Sequence, residues 1–211
     1  VKREGLPEFW VTKLSSLLVG EQSCRFASWI QGHYKIEKRV RDGDLVTWKA
    51  KHTEMMNKRV AELKLEGWKV RVESQNFFKM KGNVAIVSGK PDIVATRGAE
   101  TKVVDCKGGA IMDKNVAQVT IYQNILPLAW GRHDWQLSGE VVYPSAIIPV
   151  SYDAALKLRE PLFRLIKDLA TSTKPDPTPS EMECRFCDVS LTDCPQRFGE
   201  GKSVDILTSE F

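Results

Sequence analysis

Asp92 and Asp105 are separated by twelve residues, and Lys107 follows Asp105 by two. Two carboxylates and an ammonium at this spacing are what hydrolysis of a phosphodiester needs. The carboxylates can hold one or two Mg²⁺ or Mn²⁺ ions whose open positions take water and phosphate oxygens. The lysine can orient or activate the attacking water and neutralise phosphate charge. On its own, D-x-K is more often a solvated strand end, because a short pattern means little until its context fits. Here the context fits. Pro91 precedes Asp92, and Gln118 and Tyr122 follow Lys107 at a four-residue interval.

Strands must position these groups. Ile93 to Ala95 and Val103-Val104 are apolar and mostly β-branched, with Gly98 between them. This pattern predicts two neighbouring antiparallel strands joined by a tight turn. Asp92 then opens the first strand and Asp105 ends the second, so the two carboxylates meet at one end of a sheet. Side chains alternate along a strand. Asp105 and Lys107 therefore share a face, and Cys106 turns away. A helix is expected from Asp113 to Trp130, with Gln118 and Tyr122 one turn apart on one face.

The remaining elements follow in chain order. Leu14 to Tyr34 reads as a helix with Gly20 as a point of interruption and Leu14, Leu17, Leu18, Phe26, Trp29 and Ile30 as its apolar positions. A second helix is expected from an N-cap at Asp44 to Gly67, and it carries His52. Trp68 to Met80 reads as one long strand. Lys81-Gly82-Asn83 is a turn, and Val84 to Val87 starts a return strand. These and the two carboxylate strands would form a meander. Two more strands are expected at Gly139–Tyr143 and Ala146–Val150. Ser151 can cap a helix running from Tyr152 to about Ala170, with a kink at Pro161. Lys174 to Ser180 is an extended, Pro-rich linker.

Composition bounds the class. The chain has 211 residues, with 42% hydrophobic and 27% charged content, as in soluble globular proteins. No apolar run reaches the length of a membrane-spanning helix and no signal-peptide pattern opens the chain, so no membrane partner and a cytoplasmic location are expected. Net charge is +4 but unevenly spread. Residues 25–81 hold 14 Lys/Arg against 7 Asp/Glu, and residues 176–211 hold 3 against 8. A basic front half suits a polyanion, though solvated helix faces account for such charges equally well.

Cysteines form the second signal. Cys184 and Cys187 stand at C-x2-C spacing, and Cys194 follows after six residues. In a cytosolic protein such spacing points to metal more than to disulfides. Three thiolates leave a site one ligand short. Cys24 is the fourth candidate, and Cys106 the alternative. From spacing alone, zinc is a serious occupant. A staple from residue 24 to residue 184 would close a loop of about 160 residues and stabilise the fold by about 5 kcal/mol on a loop-entropy model.

Pro91-Asp92, Asp105-Cys106-Lys107 and Gln118…Tyr122 resemble the PD-(D/E)XK nuclease superfamily and its RecB-type branch. The family usually has Glu where this chain has Asp105. With Cys24, Cys184, Cys187 and Cys194 bracketing the motifs, the chain resembles the CRISPR-associated RecB-type iron–sulfur exonucleases from about Leu14 to Pro195. The resemblance implies an α/β fold: a restriction-endonuclease-like core with a central mixed sheet flanked by helices. An iron–sulfur lobe would join the N-terminal helix to the C-terminal segment. The expected segments are 1–43, 44–173 as the nuclease core, and 174–211.

The same resemblance implies residue roles. His52, Asp92, Asp105 and the backbone carbonyl of Cys106 would bind Mg²⁺ or Mn²⁺, Lys107 would serve water, and Gln118 and Tyr122 would orient the substrate strand. The four cysteines would hold a 4Fe–4S cluster, with 2Fe–2S as a variant. The implied substrate is DNA with single-stranded or frayed ends, and the implied partners are CRISPR integrase proteins. A phage or repair nuclease, or a DNA-end-binding adaptor without turnover, are the rival readings.

Overall fold

The computed structural model describes residues 1–37 and 45–198. The expected N-cap at Asp44 lies outside the described residues. Among the described residues the chain forms eight strands and six α-helices: β1 (Glu8–Trp10), α1 (Val11–Leu18), α2 (Arg25–His33), α3 (Leu45–Leu65), β2 (Lys69–Val72), β3 (Phe78–Lys81), β4 (Ile86–Gly89), β5 (Ile93–Arg97), β6 (Glu100–Cys106), α4 (Asp113–Ala129), β7 (Leu137–Val142), β8 (Ile147–Val150), α5 (Tyr152–Ala170) and α6 (Glu181–Arg185). The fold is mixed α/β. Among the described residues, no helix is long and apolar enough to cross a membrane.

Two mixed sheets are present where one was expected. The larger has the order β2-β5-β6-β7-β8 and the smaller β1-β4-β3. The expected meander is therefore wrong in topology, because between β2 and β5 the chain changes sheets twice. Trp68 to Met80 is not one strand. It breaks at a 3₁₀ turn over Glu73–Asn76, where Glu73 takes a left-handed φ of 42°. β2 pairs with β5, whereas β3 pairs with β4. The chain returns to the large sheet through Lys90-Pro91-Asp92.

One buried amide ties both crossings together. Asn76 is fully buried, and its Nδ2 donates to the backbone oxygens of Arg71 (3.0 Å), Pro91 (3.2 Å) and Asp92 (3.4 Å). The N–H of Glu73 donates to the Asp92 carbonyl at 2.9 Å. Backbone that leaves a ladder must find partners elsewhere when buried, and Asn76 supplies them.

The β5–β6 hairpin matches expectation. Ile93 pairs with Val104 and Val94 with Val103 in antiparallel register, and Gly98 turns the chain at φ +59°. Alternation splits the core into two. Ile93, Ala95, Val104 and Cys106 pack with Met56 and Leu63 of α3, while Val94 and Val103 face the cluster containing Val119, Ile121 and Ile125 of α4. Beyond Cys106, the N–H of Lys107 still donates to the Val142 carbonyl of β7 at 2.8 Å.

α4 lies between the large sheet on one side and α1 and α5 on the other. It is therefore buried all round, as a helix enclosed on every side must be. Most of its buried polar groups find partners, Gln123 Oε1 being the exception. Gln123 Nε2 donates to the carbonyls of Leu137 (2.8 Å) and Val150 (3.0 Å), and Asn124 Nδ2 to those of Thr120 and Ala155. α3 covers the opposite sheet face. Its Arg59 guanidinium donates to Glu140 of β7 at 2.8 and 3.2 Å.

The expected first helix is two helices, α1 and α2, divided at Gly20 with φ +75°. The helix from Tyr152 to Ala170 runs through Pro161, and Ser151 caps it by accepting from the Ala154 N–H at 3.2 Å. Asn76→Ala is expected to lower stability by about 1–3 kcal/mol, since it takes that donor from the buried Pro91 carbonyl and from the part-buried carbonyls of Arg71 and Asp92. Urea unfolding should show a lower midpoint at unchanged slope; an unmoved midpoint would remove Asn76 from this role.

Candidate active site

The end of the β5–β6 hairpin gathers seven of the sequence-predicted residues: His52, Asp92, Asp105, Cys106, Lys107, Gln118 and Tyr122. Continuing the β5–β6 register places Asp92 opposite Asp105. Asp92 Oδ2 accepts from the Cys106 N–H at 2.7 Å and lies 3.2 Å from His52 Nε2 on α3. The Cys106 side chain points into the α3-side core and is 1% exposed.

Asp105 is also 1% exposed. Its Oδ1 accepts from Gln118 Nε2 at 3.0 Å. Its Oδ2 lies 2.6 Å from Lys107 Nζ, an ion pair without hydrogen-bond alignment, and has no hydrogen-bond donor otherwise. Burial pushes the Asp105 carboxyl up from 3.8 to about 6, Lys107 pulling against it and Asp92 adding to it. Burial works against the Lys107 charge, but Asp105 beside it outweighs this and raises its pKa. The hydrogen bond to Asp92 raises that of His52.

Gln118 and Tyr122 share one face of α4, as their spacing predicts. Gln118 Nε2 also donates to the Tyr122 hydroxyl at 3.1 Å. Tyr122 is 1% exposed, and its ring meets Phe78 edge-on at 6.1 Å. In this arrangement Tyr122 backs Gln118, and Gln118 sets Asp105. Gly89 makes room for that ring: a Cβ there would come within 2.9 Å of Tyr122 and 2.7 Å of Phe78. A cleft of about 540 Å³ opens beside Gly108 between α3 and the β7–β8 hairpin, with Lys51 and Lys58 on its wall. A larger cavity of about 1390 Å³ borders Cys184 and Arg197, and its lining includes none of the carboxylate-site residues.

The four clustered cysteines lie elsewhere, all free thiols. Glu183 clamps the N-terminal partner: its carboxylate accepts from the Ser23 N–H (2.8 Å), the Ser23 hydroxyl (2.9 Å) and the Cys24 N–H (3.1 Å). This brings Cys24 next to Cys184. Burial raises the pKa of Cys187 and of Cys194, and the nearby thiols of Cys24 and Cys184 raise both further. Cys106 belongs to the other core and takes no part. His33 stacks on Trp29 at 4.5 Å, its Nε2 3.0 Å from the Leu169 carbonyl oxygen. Among the described residues, no group of three or more His, Cys, Asp or Glu is arranged to hold a metal ion. His52 is instead engaged with Asp92, and Lys107 with Asp105.

No family model matches the chain, and no curated protein matches it. Solved structures similar to it include SSO0001, at 17% identity over 94% of this chain and 90% of that one, with a TM-score of 0.38. Another is an alkaline exonuclease (LHK-Exo) from Laribacter hongkongensis, at 9% identity over 77% of this chain and 87% of that one, with a TM-score of 0.42.

Sequence reasoning missed Asn76, Glu183 and the Arg59–Glu140 pair. Each acts across more than eighty residues or through backbone carbonyls, except that Asn76 lies just before the Phe77-Phe78 pair where the strand pattern loosens. The Asp105 geometry has a consequence for stability. The folded carboxyl holds its proton up to about pH 6, while the unfolded one loses it near 3.8. The folded state therefore binds more protons between these values, and stability falls as pH rises through them. In chelator at pH 8, Asp105→Asn is expected to be more stable than wild type by roughly 1–3 kcal/mol. The gain should shrink below pH 6 and vanish near 4. A destabilised variant at pH 8 would contradict it.

Proposed function

We propose that this chain is a metal-dependent deoxyribonuclease, a RecB-type exonuclease of the PD-(D/E)XK kind with an iron–sulfur cluster. One observation carries the reading. Asp92, Asp105 and Lys107 meet at one end of an antiparallel hairpin, with His52 reaching them from α3 and Gln118 from α4.

The residues suit a divalent cation. Asp105 Oδ2 is a buried carboxylate oxygen with no aligned donor, and Asp92 stands opposite it. His52, Asp92 and Asp105 would hold Mg²⁺ or Mn²⁺, with the Cys106 carbonyl as a further ligand. When bound, such an ion supplies an activated water and neutralises charge on the phosphoryl oxygens. Gln118 fixes the Asp105 rotamer through Oδ1, while Oδ2, paired with Lys107 at 2.6 Å, is the oxygen that would turn to the ion. Tyr122 holds Gln118. Lys107, partly exposed, donates to the attacking water or a phosphate oxygen. The Cys106 N–H holds Asp92 in place.

The cysteine set suits a soft-metal centre: four free thiols on two segments that Glu183 already joins. Cys24, Cys184, Cys187 and Cys194 would hold the cluster, 4Fe–4S before 2Fe–2S, and its job would be to tie α2 to the C-terminal segment. The motif resemblance supports the finer reading: DNA with single-stranded or frayed ends as substrate, and spacer processing alongside CRISPR integrase proteins.

End-labelled single-stranded DNA should be degraded with Mg²⁺ or Mn²⁺ and left intact in chelator. Asp105→Ala and Asp92→Ala should abolish cleavage. Lys107→Ala should lose turnover but keep most DNA affinity, because one phosphate contact is a small share of a basic surface. Asp105→Ala cutting at the wild-type rate would end the nuclease reading. Anaerobically purified protein should be brown and contain iron and sulfide in similar amounts. Cys24→Ala should lose iron and solubility, and Cys106→Ala should keep both. A colourless protein with one zinc would overturn the iron–sulfur assignment, and full iron in Cys24→Ala would overturn the staple.

A further inference from the structure

Two aromatic groups beside the carboxylates are exposed, and the chemistry above uses neither. The first is Trp48, 58% exposed on the first turns of α3. It lies one helical turn before His52, on the same face. Its ring stacks on the imidazole, with centroids 5.4 Å apart and planes 20° from parallel. The imidazole in turn touches Asp92. The outer indole face is open.

The second is a pair, Trp10 (43% exposed) and Phe77 (47% exposed), with ring centroids 6.1 Å apart. Strand register fixes their place. Trp10 neighbours Ser88, and Phe77 precedes Phe78, the partner of Gly89. Both therefore sit at the end of the small sheet where β4 runs out through Lys90 and Pro91 to Asp92. The carboxylate site is flanked by Trp48 on the α3 side and by Trp10–Phe77 on the small-sheet side.

The surrounding charge indicates what these rings meet. Residues 45–53 hold Lys49 and Lys51 and no acid, and both lysines are exposed, as is Lys90. Protein interfaces are depleted in lysine around their aromatic anchors. Exposed aromatics interleaved with lysines are how proteins hold single-stranded nucleic acid: rings stack on bases while ammonium groups track phosphates.

We propose that Trp48 and the Trp10–Phe77 pair are base-stacking platforms that hold unpaired nucleotides on either side of the scissile phosphate. A base laid on Trp48 extends the Trp48–His52 column and sets the adjoining phosphate over Asp92. A base inside a duplex has both faces covered by its neighbours and cannot lie on a ring, so the platforms select frayed or single-stranded ends. This deepens the nuclease reading and rests on it for the identity of the polymer.

The test separates the two. Binding is measured in chelator by anisotropy, using a labelled oligo-dT, an abasic strand of equal length and a blunt duplex. Trp48→Ala is expected to weaken oligo-dT binding about 10-fold and to leave abasic and duplex binding unchanged. Trp48→Phe should restore most of the loss, and the double variant Trp10→Ala/Phe77→Ala should behave like Trp48→Ala. Equal losses on oligo-dT and the abasic strand, or no loss, would overturn the platforms. A wild-type dimer that Trp48→Ala dissociates without changing DNA affinity would do the same. Cleavage of oligo-dT by wild type with Mn²⁺ is read in the same preparation. Cleavage with unchanged binding in the variants overturns the platforms alone. Base-dependent binding without any cleavage sustains the platforms and overturns the nuclease.

Discussion

Asp105 holds a carboxylate at 1% exposure, and the elements around it are arranged to make that tolerable. Lys107 supplies the counter-charge and Gln118 the hydrogen bond, with Tyr122 behind Gln118 and Gly89 giving Tyr122 its space. Such a group is a poor stabiliser. Replacing buried ionic groups by apolar ones of similar shape is often neutral or favourable, and the upward push on the Asp105 carboxyl shows that the fold prefers it neutral. Keeping this charge here costs stability, and the proposed metal chemistry is what that cost would serve. An ion between Asp92 and Asp105 would turn that cost into binding energy.

The two sheets serve the same end. If the chain had formed one continuous meander, Asp92 would sit inside a strand with its carboxylate committed to a face. Because the chain leaves the large sheet at Glu73–Asn76 and re-enters at Pro91, Asp92 stands at a strand mouth, held through its carbonyl by Asn76 and the Glu73 N–H. α3 brings His52 to the same mouth and is itself anchored by Arg59 on Glu140. The cysteine lobe is built by a comparable long-range contact, Glu183 on Ser23 and Cys24.

The β5–β6 hairpin, the Gln118/Tyr122 helix face and the Ser151-capped helix were legible because each is encoded by local periodicity and turn chemistry. The sheet change was not. Trp68 to Met80 alternates well enough to read as one strand, and only the tertiary partners of β2 and β3 break it. Tyr122 was placed on the correct face, but its depth depends on Gly89 and Phe78, more than thirty residues earlier. Cys24 and Cys106 were both candidates to join the C-terminal cysteines, and Glu183, which brings Cys24 beside Cys184, carries no sequence mark that distinguishes it from other acids of an acidic segment. Exposed Trp48 was hidden for the opposite reason: an aromatic at helical spacing reads as core until its burial is known.

The central claim is that the Asp92–Asp105 pair is a divalent-cation site. Titration of the metal-free protein with Mn²⁺, followed by the loss of the free-ion electron paramagnetic resonance signal, tests it without reference to turnover. Wild type should take up Mn²⁺ at this site, and Asp92→Asn and Asp105→Asn should each lose that binding while remaining folded. Mn²⁺ uptake by both variants equal to wild type would contradict the account.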